Sequence, residues 1–178
     1  MKRIVWPIAL VLAIGLASPA NSASKSGGVI KVKTAGLVLE VKGPDGRPVS
    51  IPANKDMPAP SGTYPTVSLT QYAKDPSGVW SIQSKGPFGS LKTISVDDGE
   101  TTSVDAGAPL TVKTVVVPTK DPKTGAPVVS INLQILGKAN EVYSAATIKR
   151  GNVLMQAPKL QVLDEDGKTL ASGTFAYG

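Results

Sequence analysis

The chain contains no cysteine and no histidine. Without cysteine it forms no disulfide, offers no thiol nucleophile and gives no cysteine for lipid attachment. Without histidine it builds neither a Ser-His-Asp triad nor a histidine-ligated zinc site. A Ser–Lys pair remains as a nucleophile, but the one Ser-x-x-Lys spacing runs from Ser22 to Lys25, beside a cleavage region. Aromatic residues make up only 4% of the chain, so any core rests on Val, Ile and Leu. No segment sustains the 3.6-residue apolar period of an amphipathic helix. The lysines are scattered, with no basic block and no basic–aromatic interleaving, which argues against nucleic acid as a partner. No glycine-rich phosphate loop is present. These absences point to a chain that is not an enzyme and uses no cofactor.

What is present begins with an apolar leader. Met1-Lys2-Arg3 is basic, residues 4–16 are apolar, and small residues follow from Ala17 through Ser24. This is the pattern of a secretory signal peptide, expected to cover residues 1–23. No later apolar run is long enough to cross a bilayer, so the mature chain is expected without stable membrane insertion. The expected location is periplasmic or extracellular. A cysteine-free exported chain must be stabilised by burial alone, which calls for a substantial core.

Residues 95–118 organise the rest. Ile94 and Val96 alternate with Thr93 and Ser95, as in a half-buried strand. Asp97-Asp98-Gly99-Glu100 then reads as a tight hairpin turn, with residues 101–105 returning. Ala106-Gly107-Ala108-Pro109 breaks the pattern, and a β-branched run follows over 110–117, closed by Pro118. Upstream, Leu37, Leu39 and Val41 share one face of a strand that ends at a Gly-Pro-Asp-Gly-Arg-Pro turn. Residues 52–62 carry three prolines and read as a surface loop. In the strand over 64–72, Val67 and Leu69 are expected on one face, with Tyr64 and Tyr72 on the other. Downstream, Val129, Ile131, Leu133 and Ile135 alternate cleanly, residues 149–158 read as irregular, and 159–163 with 169–177 read as a hairpin. Short strands separated by Gly/Pro turns predict an all-β fold. The expected arrangement is two tandem antiparallel β-sandwich modules, residues 29–107 and 108–178. One continuous sandwich bent at 106–109 is the alternative.

Five residues are candidates for ligand contact: Tyr64, Tyr72, Trp80, Glu141 and Tyr143. Three or more aromatics in a row would make a carbohydrate-stacking platform, although Trp80 alternates with Ile82 and suits a core equally well. Glu141, in a short ambiguous segment beside Tyr143, suits capping or a cross-strand hydrogen bond, and otherwise a functional carboxyl. The acidic stretches 97–100 and 164–167 lack calcium-loop spacing and read as hairpin turns, so no metal site is expected.

Gly137…Glu141-Val142-Tyr143-Ser144, Ala157-Pro158-Lys159-Leu160, Leu163-Asp164-Glu165-Asp166-Gly167-Lys168 and Ala171-Ser172-Gly173-Thr174-Phe175 resemble a set of uncharacterised exported bacterial proteins of planctomycete type. Gly43-Pro44-Asp45-Gly46-Arg47-Pro48 with Gly62-Thr63-Tyr64 resembles, more loosely, transthyretin-like and carboxypeptidase-regulatory-like (immunoglobulin-like) sandwiches. Neither resemblance implies an activity. Composition and resemblance together predict a non-catalytic envelope or extracellular protein whose partner is an envelope protein or polysaccharide. A carbohydrate-binding module is the alternative.

Overall fold

The computed structural model describes residues 26–175, so the leader over 1–23 lies outside the described residues. Fifteen strands occur in chain order: β1 (Gly27–Val32), β2 (Leu37–Lys42), β3 (Pro48–Pro52), β4 (Asp56–Pro60), β5 (Gly62–Asp75), β6 (Gly78–Ser84), β7 (Thr93–Val96), β8 (Thr101–Val104), β9 (Thr111–Lys120), β10 (Pro127–Leu136), β11 (Val142–Tyr143), β12 (Lys149–Arg150), β13 (Val153–Leu154), β14 (Lys159–Leu163) and β15 (Thr169–Thr174). Two single 3-10 turns, Gly89–Lys92 and Ala145–Thr147, are the only helical pieces among the described residues. The fold is all-β, in several sheets, of the β-sandwich class.

Two sheets make the body. One has the order β4-β1-β8; the other runs β13-β12-β6-β5-β2-β3, with β7 also pairing β5. Their facing sides meet in one core. Ile30, Val32 and Val104 come from the first sheet, and Leu37, Leu39, Val41, Ile51, Leu69 and Ile82 from the second. The alternation in β2 places all three of its aliphatics inward, and each such burial contributes about 1.5–3 kcal/mol. Ala106, Ile135 and Tyr143 also lie in this core, and β12 joins the larger sheet against β6. The second half of the chain therefore supplies side chains and a strand to the body.

Several expectations change. Residues 56–60 form strand β4, not loop, paired antiparallel with β1. Its prolines fit because β4 is a sheet edge, where a missing N–H costs no ladder bond. The turn Asp97–Glu100 forms, with Gly99 at φ 71. However, β7 pairs β5, whereas β8 pairs β1 in parallel, so the turn carries the chain from one sheet to the other. Residues 149–154 are a small hairpin, β12–β13, not irregular chain. The fourth concerns the faces of β5. Val41 lies opposite Thr66 but Glu40 opposite Ser68, so Val67 is an extra residue, a β-bulge. A bulge shifts the two-residue parity by one. Tyr64 consequently points inward with Leu69, and Val67 faces solvent.

Two hairpins extend from this body. β9 and β10 pair over ten residues, and β11 extends their sheet only at Ile135 and Leu136. Pro118 lies inside β9, opposite Val129, rather than closing it. β14 and β15 form a separate two-stranded sheet.

Candidate functional site

Residues 105–108 hold the most densely bonded polar cluster. Glu141 is fully buried beside β11. Its Oε1 accepts from the Gly107 N–H at 2.5 Å and from the Tyr143 hydroxyl at 3.3 Å; its Oε2 accepts from the Ala139 N–H at 2.9 Å. The Lys138 N–H donates to the Gly107 carbonyl at 3.1 Å. From the other side, Gln71 Oε1 accepts the Ala108 N–H at 3.0 Å, while its Nε2 donates to the carbonyls of Ala35 and Tyr72. Asp105 accepts from Lys138 Nζ at 3.0 Å and from the Thr34 hydroxyl at 3.1 Å. Those two bonds, Lys138 first, hold the Asp105 carboxyl below the usual carboxylate range.

The sequence permits this clasp through two glycines. Gly107 has φ 78, a left-handed geometry that a side chain resists. A Cβ built on Gly137 would overlap the Glu141 carboxylate. Burial, and then the Glu141 charge beside it, push the Tyr143 phenol above its usual value. A carboxylate enclosed by two backbone donors and a phenol is chemically a backbone anchor. It has no open face toward a substrate. Among the described residues no group of three or more His, Cys, Asp or Glu gathers as a metal site.

The five candidate residues fall into separate environments. Glu141 and Tyr143 come together in the clasp. Tyr64 is buried in the core, its hydroxyl donating to the Pro60 carbonyl at 2.6 Å, and burial raises its phenol pKa. Trp80 is half-buried at the rim of the body. Its indole N–H donates to Asp75 Oδ2 at 2.7 Å, and Arg150 covers its ring at 5.7 Å from the centroid. Tyr72 is exposed, and it lies on the opposite face from Trp80, because Tyr72 pairs Ser81 whereas Ala73 pairs Trp80. A row of Tyr64, Tyr72 and Trp80 is therefore not formed.

The feature that sequence reasoning missed is the ribbon β9–β10, part of which is left exposed. Its register puts Val112, Thr114, Val116 and Pro118 on one face with Val129, Ile131, Leu133 and Ile135. Ile135 is buried, and Ile131 and Leu133 are half-buried beside a cavity that Leu160 and Phe175 also line; Val112, Val116 and Val129 are 62%, 58% and 59% exposed. No charged residue interrupts the face between Val112 and Pro118. The signal was the same alternation that marked β10 as a strand, and alternation does not say which faces are covered. Comparison with protein-family models, with curated proteins and with solved structures finds no match for this chain.

Proposed function

We propose that the protein is a non-catalytic binding protein, exported to the cell envelope or the extracellular space. Its partner is a protein that lays an extended strand against the free edge of β9. One observation carries the reading: among the described residues the ribbon presents a charge-free face on which Val112, Val116 and Val129 are largely exposed. Contiguous exposed apolar surface on a folded protein marks a contact site. A strand at a sheet edge adds unpaired N–H and C=O groups, which an incoming strand would satisfy. Lys113 and Lys120 on β9 keep that edge from pairing indiscriminately. The buried clasp supports a non-catalytic role, since its one enclosed carboxylate is fully engaged with backbone.

A photo-crosslinking residue placed at position 116, in cells that make the protein, tests the partner. The expected result is one discrete cross-linked protein that disappears in Val129→Asp, with the far-UV circular dichroism unchanged. Cross-linking that is absent, or indifferent to Val129→Asp, removes the ribbon from the reading. Export is tested separately, by the mass of the recovered protein. Loss of residues 1–23 is expected, and an intact amino terminus would exclude processing.

A further inference from the structure

A second surface, on strands other than the ribbon's, carries an independent inference. On the outer face of the larger sheet, Tyr72 of β5 lies directly opposite Ser81 of β6, and Ser81 directly opposite Lys149 of β12. Directly opposed residues share a face, so the three side chains form one row across three strands. Thr70 and Gln83, also opposed, form a second row beside it. With neighbouring strands about 4.8 Å apart and alternate residues about 7 Å apart, the array spans about 10 by 7 Å. These residues line a shallow cavity of about 240 Å³.

Three properties distinguish this array from an ordinary wet sheet face. Tyr72 is 43% exposed, a large ring offered to solvent in a chain with few aromatics. Its backbone is held rigidly, with its N–H on the Gly36 carbonyl at 2.8 Å and its own carbonyl on the Gln71 amide at 2.9 Å. Among the described residues, nothing partners the side-chain polar groups of Thr70, Tyr72, Ser81, Gln83 or Lys149. Hydroxyls and an amide both donate and accept, which is what a ligand covered in hydroxyl groups requires. The row itself carries only cations, and the one carboxylate beside it on this face, Glu40 opposite Ser68, is engaged by the Ser68 hydroxyl at 2.8 Å. Lys149 closes one end of the row, and Lys74, two residues beyond Tyr72 on the same face, flanks the other.

We propose that this face binds an acidic saccharide. The C–H face of a sugar ring stacks on Tyr72, whose ring is an amphipathic platform. Sugar hydroxyls bond to Thr70, Ser81 and Gln83, and a uronate carboxylate pairs with Lys149. The site is open and shallow, so affinity is low for a single chain end and grows with repeated contacts along a polymer. Nucleic acid fits less well, because one stacking ring and two separated lysines do not track a phosphate backbone.

The test is a titration of the full-length mature protein, followed by amide chemical shifts. The probes are a tetragalacturonate, a neutral galactose tetrasaccharide and an oligothymidylate. The tetragalacturonate is expected to bind saturably and to shift residues 70, 72, 81, 83 and 149. Tyr72→Ala should weaken that binding at least tenfold. Lys149→Gln should remove the preference for the acidic over the neutral sugar. Both positions are exposed, so the fold should survive, and an unchanged amide spectrum elsewhere verifies this. The proposal is overturned by no saturable binding at millimolar tetragalacturonate, by equal affinity for the neutral sugar, by undiminished binding in Tyr72→Ala, or by stronger binding of the oligothymidylate.

Discussion

Strands β2 and β9 carry the same kind of alternating aliphatic sequence and meet opposite fates. In β2, Leu37, Leu39 and Val41 are sealed between two sheets. In β9, Val112 and Val116 are exposed. Alternation thus specifies extended backbone in both places, whereas burial depends on whether another sheet arrives opposite. The body has that second sheet in β4-β1-β8, whose third strand arrives when the Asp97–Glu100 turn sends β8 across to β1. Among the described residues, the ribbon's sheet consists of its two long strands and the two residues of β11. A two-stranded hairpin of this sort gains little from its own contacts in water.

The contrast is sharpened most by cutting the same kind of side chain in each region. Leu39→Ala should cost about 2–5 kcal/mol in denaturant unfolding, since it leaves a cavity between layers. Val116→Ala should change stability by less than about 0.5 kcal/mol, as surface substitutions do. Equal losses would mean that the ribbon is covered after all. Next in size is Glu141→Ala, which strands the buried N–H groups of Gly107 and Ala139. A loss of about 1–3 kcal/mol is expected for each donor left unpaired, and a neutral result would show that the clasp contributes no stability.

A further expected effect is one of pH. The Tyr143 and Tyr64 phenols lie above their usual value in the folded protein. Above about pH 10 the unfolded chain loses those protons first, so the unfolded state is favoured there. Stability should be full below that pH and fall as pH rises beyond it. Tyr143→Phe should flatten this alkaline decline, leaving the part due to Tyr64. An unchanged slope in a stability–pH curve would remove Tyr143 as its source.

Much of this architecture was readable from the residues alone. The inward face of β2, the turn after it, the alternation of β10 and the hairpin β14–β15 follow from local pattern and turn chemistry. Three things were not readable, each for a definite reason. The bulge at Val67 is set by pairing with β2, so the faces of β5 could not be assigned from its own spacing. Strand β4 is hidden because Pro58 and Pro60 exclude a central strand but not an edge one. The destination of β8 is a long-range choice that a four-residue turn does not encode. The surroundings of the candidate site were legible in part. Glu141 and Tyr143 stood out together, but their contact with Gly107 depends on tertiary approach across more than thirty residues of chain. The array around Tyr72 needed three strands in register, one of them two residues long.

The parallel pairing of β1 with β8 also constrains the order of assembly. β1 is the middle strand of its sheet, yet one of its two neighbours is encoded about seventy residues later. As the polypeptide emerges, the first strand must wait, half-matched, until Val104 is available, and a closure of that sequence separation is intrinsically slow. The ribbon's partners, by contrast, are consecutive in the chain. Completion of the β4-β1-β8 sheet therefore depends on a segment made long after its central strand.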